Sequence, residues 1–331
     1  MLRWLGRLFG VLFALILLVG AAVAFVFWHF DRPGPLQSET IVEIPRGAGL
    51  SAVADRLAEA GVIDQPYLFM AGVMLNGAQG GLRFGEYAFP ASVTGFEAME
   101  IVQSGRSVTY PFTVAEGLTS QQVFALLVAD ERLTGELDAV PPEGTLLPET
   151  YSFVRNATRQ SLVDQMTAAM DATIEELWPA RAEDLPFDTP EEAIVLASII
   201  EKETGVAEER GEVAGVFVNR LERGMRLQTD PTVIYAITLG RVPLGRALTR
   251  ADLEVDSPYN TYQVTGLPPG PIANPGRASI EAALNPTETE YLYFVADGTG
   301  GHAFARTLDE HNANVAEWRR IQRSQEAQDD N

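Results

Sequence analysis

The chain has 331 residues, 46% of them hydrophobic, and its 45 acidic and 24 basic side chains leave a net charge of −21. That balance argues against a nucleic-acid or anionic-membrane surface, while the length and apolar content suffice for two domains with cores. There is no cysteine, only three histidines (His29, His302, His311), and no HExxH pattern, P-loop or dinucleotide fingerprint, so neither a metal nor a cofactor is expected.

The 21 residues from Leu8 to Trp28 carry no charge. As a helix they span about 30 Å, the thickness of a bilayer core. Arg3 and Arg7 precede the run, which places the N-terminus in the cytoplasm, and Trp4, Trp28 and His29 stand where interfacial residues would. A cleaved signal peptide is the rival reading, since Ala22-Val-Ala24 has the small-x-small form. Phe25-Val-Phe-Trp28 continues the apolar run past that point, which favours an uncleaved anchor. Residues 1–30 are thus read as a cytoplasmic tip and a single-pass anchor in the inner (cytoplasmic) membrane, with everything after Asp31 exported.

Residues 31–40, with Pro33-Gly-Pro35, read as a linker. From 41 to 115 the order is a strand at Ile41–Ile44, helices at Ser51–Ala60 and Gln65–Leu75, and a strand at Phe84–Phe89. A helix at Thr94–Gln103 capped by Thr94 and a strand at Val108–Val114 complete a small α+β module. This order resembles a LysM-like carbohydrate-binding unit. The second region, 116–325, is expected to be a mixed α/β domain. Helices at Ser120–Ala129 and Thr158–Trp178 flank an irregular Pro141–Phe153 stretch that contains Glu149 and Tyr151.

Thr189 to Gly205 is the most informative segment. Thr189 can cap a helix, Pro190 suits its first position, Glu192 completes a capping box, and Gly205 offers a left-handed stop. Ile194, Val195, Leu196, Ile199 and Ile200 make this helix apolar on most sides, so its closing Glu201-Lys202-Glu203 is an odd place for charge. At about 100° per residue the two glutamates point to nearly opposite sides. Glu203 continues the stripe of Leu196, Ile199 and Ile200, where burial and the helix C-terminus would both raise its pKa, as a general acid requires. The residues alone leave open that both glutamates are exposed at a fraying end or paired with an arginine.

A helix from Glu208 to Arg223 follows, then an extended Met225–Asp230 piece. Another helix starts there, with Asp230 as its cap and Pro231 at its first position. The Pro-, Gly- and Tyr-rich loop from Tyr259 to Pro275 is of a kind that often carries function. Tyr291–Ala296 and His302–Arg306 read as a hairpin, Leu308–Gln325 as a closing helix and 326–331 as a polar tail.

Several segments taken together resemble the endolytic murein transglycosylase (YceG-like) family. They are Ala197-Ser-Ile-Ile-Glu-Lys-Glu-Thr204, Val216-Phe-Val-Asn-Arg-Leu221, Gly224-Met-Arg-Leu-Gln-Thr-Asp-Pro-Thr-Val-Ile-Tyr235, Tyr259-Asn-Thr-Tyr262, Gly266-Leu-Pro-Pro-Gly-Pro-Ile272, Tyr291-Leu-Tyr-Phe-Val-Ala-Asp297 and Gly301-His302. The resemblance implies a membrane-anchored lyase that cuts peptidoglycan strands internally between N-acetylmuramic acid and N-acetylglucosamine, leaving 1,6-anhydro ends. Glu203 matches the family's catalytic glutamate. Gln228, Asp230, Tyr259, Asn260, Tyr262 and His302 are candidate substrate contacts, with Glu201, Glu149 and Tyr151 in support. Peptidoglycan strands are the expected substrate, and penicillin-binding proteins of the elongation or division machinery the expected partners. A muramidase-type hydrolase, with Glu201 or Asp230 as second carboxylate, and a non-catalytic wall scaffold remain open at this point.

Overall fold

The computed structural model describes residues 2–329, with side chains from 4 to 324. The side chains of Arg3 and of the tail expected at 326–331 lie outside the described residues. The chain divides into two compact units, Met1–Tyr110 with Ser152–Arg155, and Pro111–Tyr151 with Asn156–Asn331. The expected α+β class is observed. Among the described residues strands pair only two by two, so the second region lacks the larger sheet that a mixed α/β domain would have.

The first unit opens with α1, Leu2–Asp31, a continuous apolar helix long enough to cross a membrane. β1 (Thr40–Ile44) and β2 (Gly85–Phe89) pair antiparallel, with Val42 opposite Tyr87, and bracket helices α2 (Leu50–Glu59) and α3 (Pro66–Leu75). Strand alternation turns Val42, Ile44, Tyr87 and Phe89 inward onto Val53, Leu57, Phe69 and Val73. α4 (Gly95–Ser104) closes the layer. Its start is fixed by Thr94, whose hydroxyl accepts the Glu97 N–H while Glu97 accepts the Thr94 N–H, and its end by Gly105 at φ 67°. Phe30, assigned to the anchor by its place in the apolar run, is 2% exposed in this core. The stretch read as a linker lies along the module too: Gly34 donates its N–H to Val93, and Leu36 accepts from Ser92.

β3 (Thr109–Thr113) pairs with β4 (Thr150–Val154), and the division between the units falls within these two strands. β4 lies in the stretch expected to be irregular.

The second unit is mainly helical: α5 (Ser120–Ala129), α6 (Arg159–Leu177), α7 (Pro190–Glu203), α8 (Arg210–Glu222), α9 (Asp230–Thr238), α10 (Arg277–Leu284) and α11 (Leu308–Asp329), with a hairpin of β5 (Tyr293–Ala296) and β6 (His302–Ala305). α7 sits at its centre, with Leu196, Ile199 and Ile200 fully buried against Val213 and Phe217 of α8 and Ile280 and Leu284 of α10. The Ser198 hydroxyl donates to the Val195 carbonyl and accepts the Ile272 N–H at 3.0 Å, pinning the long loop to this helix. The expected capping box of Thr189 and Glu192 is present. The stop differs from expectation: Thr204 leaves the helix in an extended conformation at φ −131°, and Gly205 is not left-handed.

Candidate active site

The last turn of α7 delivers its two glutamates to different places, as the 100° rule predicts. Glu201 turns to α10 and accepts the N–H of Gly276, the residue before that helix, at 2.9 Å. There its charge complements the positive end of the α10 dipole. Glu203 turns the other way, into a cleft of about 440 Å³ that Arg220, Gln228, Asp230, Tyr262 and Tyr293 also line.

Glu203 is held by one short contact. Thr229 donates its hydroxyl to Glu203 Oε2 at 2.7 Å. Thr229 is 2% exposed and is fixed in turn by buried threonines. Its N–H donates to Thr261 Oγ1, its carbonyl accepts from Thr232, and the hydroxyls of Thr232 and Thr261 lie 2.8 Å apart. Burial pushes the Glu203 carboxyl above the ordinary carboxylate range, and the nearby charge of Asp230 adds to this. The Thr229 hydrogen bond, then His302 and Arg220, pull the other way. The result is a protonation-prone carboxyl at the cleft wall, the electrostatic form of a general acid. Thr229→Val removes the donor that favours the carboxylate. We expect the alkaline limb of its pH–rate profile to move to higher pH, with a rate loss of about tenfold from the misplaced carboxyl.

Asp230 is the first residue of α9, not its cap. Thr229 occupies the cap position without a side-chain hydrogen bond to the helix. The Asp230 carboxylate is therefore available to accept the Tyr262 hydroxyl at 2.7 Å. Gln228 sits in the left-handed region at φ 50° and is exposed at the cleft edge.

Other expected contacts fall elsewhere. Asn260 is fully buried, and its amide holds the loop by donating to the Leu253 and Val255 carbonyls and accepting the Tyr262 N–H. No part of that amide is left for an N-acetyl group. Tyr259 packs on Tyr235, with ring centroids 4.9 Å apart, and is not among the residues lining the cleft. Tyr151 is buried and donates to the Leu147 carbonyl at 2.6 Å. The exposed Glu149 meets Val114 only through its backbone carbonyl, so neither residue reaches the cleft. His302 is held by Glu209, which accepts its backbone N–H at 2.9 Å and lies 2.7 Å from Nδ1, and it packs edge-to-face on the cleft-lining Phe294.

Several residues of the site are not evident from sequence. Arg220, which reads only as a brace for its helix, donates to the carbonyls of Leu292 and Leu227, lies 5.2 Å from the Tyr293 ring centroid and lines the cleft. His311 stacks on Tyr293 and keeps a buried Nδ1 without a hydrogen-bond partner, while burial and then the Arg220 charge hold its pKa below the usual histidine range. Thr229 stood inside a quoted motif, but nothing local distinguished it from its neighbours.

The YceG-like family matches residues 42–317. The chain belongs to the YceG-like family. An endolytic murein transglycosylase of Bacillus subtilis is 35% identical over 303 residues, covering 82% of each chain. One of Streptococcus pneumoniae (serotype 2, strain D39) is 30% identical over 325 residues, and its match spans 83% of this chain but 58% of its own length. The 2.6 Å crystal structure of a yceG-like protein from Listeria monocytogenes is 32% identical, with a TM-score of 0.53 over 84% of this chain and 99% of that one. The residues matched to this YceG-like family include all those that line the cleft, from Glu203 to His311.

Proposed function

We propose that this YceG-like protein is an endolytic peptidoglycan lytic transglycosylase in which Glu203 is both acid and base. The observation that carries the reading is the half-buried Glu203 carboxyl, desolvated in the direction that favours its proton and held by Thr229 in a polar cleft. Relatives of this chain named endolytic murein transglycosylase support the substrate and the reaction. Protonated Glu203 gives its proton to the glycosidic oxygen as the muramoyl C1–O bond breaks and positive charge develops at C1. The C6 hydroxyl of the same sugar then attacks C1, and its proton returns to the Glu203 carboxylate. Water is neither consumed nor released, and a single carboxyl suffices where hydrolases need two. The ring face of Tyr262, with Gln228 and Arg220, is assigned to sugar binding, while Glu201 maintains the start of α10.

The first module is assigned to carbohydrate binding as a LysM-like unit, supported by its β-α-α-β order and antiparallel outer strands. We place α1 across the cytoplasmic membrane with the N-terminus inside and everything after Asp31 outside, following Arg3 and Arg7. Penicillin-binding proteins are the proposed partners on the family resemblance.

One observation favours a hydrolase as second reading: Asp230 lines the same cleft as Glu203 and bears on its charge. Asp230→Asn separates the two. A hydrolase using Asp230 would lose as much activity as the Glu203→Gln variant, whereas the transglycosylase should lose about tenfold or less, through Tyr262 and the Glu203 pKa. Size analysis of purified glycan strands during digestion tests the endolytic pattern. Mean strand length should collapse before disaccharides accumulate, and early release of disaccharides would contradict it.

A further inference from the structure

Besides Ile41 and Phe84, the exposed large apolar residues of the first module lie on α3, the helix packed beside the membrane helix. α3 carries no charged residue, and Tyr67, Met70, Ala71 and Met74 follow the i, i+3, i+4, i+7 spacing of one helical stripe. Tyr67 is 80% exposed, Met74 59% and Leu75 46%. Exposed apolar surface of this extent marks a contact, and α1 indicates with what.

Phe30 is clasped by α3 and α4. Its ring lies 5.8 Å from that of Phe69 and 6.2 Å from that of Phe96. It stands only two residues beyond Trp28, the end of the uncharged run, or about 3 Å further along the helix axis. A headgroup layer is about 5–7 Å thick on each side of the hydrocarbon core, so the helices that clasp Phe30 begin inside it. The course of α3 then leads inward. Asp64, just before α3, meets His29 at 3.2 Å and pairs with Arg32, the second of which stands on the outer side of Phe30. Further along α3, Phe69 and Gly72 reach Phe30 itself. One turn nearer the bilayer centre Val26 is still half-buried, whereas Val19, deeper in the run, is 53% exposed. α3 therefore runs back along α1 towards the bilayer, with Asp64 and the exposed Tyr67 at its outer end and the exposed Met74 and Leu75 at its inner one.

We infer that the first module is seated in the membrane interface, with the C-terminal turn of α3, Met74 and Leu75, dipping to the headgroup–acyl boundary of the bilayer that α1 spans. The occupant is lipid because this surface continues the lipid-facing side of α1, and interfacial binding strengthens with the apolar area it buries. The inference rests on the anchor reading of α1 and is independent of the chemistry at Glu203.

The absence of cysteine allows single spin labels on the full chain in phosphatidylcholine vesicles. Labels at Met74→Cys and Leu75→Cys should collide with dissolved oxygen about threefold or more in excess of an aqueous nickel chelate, as at Leu17→Cys within the span, and Glu59→Cys on α2 should show the reverse. If positions 74 and 75 behave as Glu59→Cys does while Leu17→Cys reads as lipid, the interfacial seat is wrong and the anchor stands. If Leu17→Cys itself reads as aqueous, the anchor and the seat both fall.

Discussion

Glu203→Gln is expected to lower strand cleavage by about 10²–10⁴-fold, the contribution of a positioned general acid, while making the folded chain more stable at neutral pH. Both effects have one cause. Burial raises the pKa of this carboxyl in the folded state above its unfolded value. The folded state thus holds the proton more tightly, so the stability this group contributes is full below the ordinary carboxylate range and is lost as pH rises through the raised value. At neutral pH the native enzyme carries the cost of a partly desolvated carboxylate, which a neutral amide of similar shape removes. Thr229 can still donate to the amide oxygen, so the site geometry should survive. Thermal unfolding at neutral pH should show a higher midpoint for the variant, and that advantage should vanish in acid. A variant that cuts at the native rate, or one that loses stability at neutral pH, would contradict the role given to Glu203.

Phe30→Ala should cost about 3–5 kcal/mol, the range for deleting a large aromatic side chain from a packed core. The ring fills a socket shaped for it: a Cβ added at Gly72 would come within 2.5 Å of the ring, and one at Gly95 within 2.7 Å. Small residues there allow close approach and leave no neighbour able to refill the space. Phe25→Ala, one turn and a half earlier and 52% exposed, removes the same atoms from a surface we assign to lipid and should change little. Hydrogen exchange of β1 and β2 in the full chain, embedded in lipid, reads the difference. Equal protection in the two variants would mean that Phe30 is not part of the module's core.

What the sequence made legible was what depends on near neighbours. The Thr94 cap of α4 and the capping box of α7 could be read because the partners lie three residues apart. The separation of Glu201 from Glu203 followed from helical periodicity alone. Where a group's fate is set by distant chain, local reading had no purchase. Asn260 looked like a ligand-binding amide in an exposed loop, yet the carbonyls of Leu253 and Val255 bury it. α10 went unnoticed because it has eight residues and Gly276 as its cap; its first free N–H is met by Glu201, 75 residues earlier. Arg220 read only as a helix brace, but it donates to the Leu292 carbonyl just before β5, and that strand brings Tyr293 and the cleft to it. β4 lacked any signal beyond a short alternation, since its partner β3 lies nearly forty residues upstream.

The central claim is that one carboxyl and an internal hydroxyl complete the reaction without water. Digestion of purified glycan strands in heavy-oxygen water, followed by mass spectrometry of the new ends, tests it most directly. The account predicts muramoyl ends lighter than a reducing end by one water and free of the heavy isotope. Reducing ends that carry heavy oxygen at C1 would show a hydrolase and contradict it.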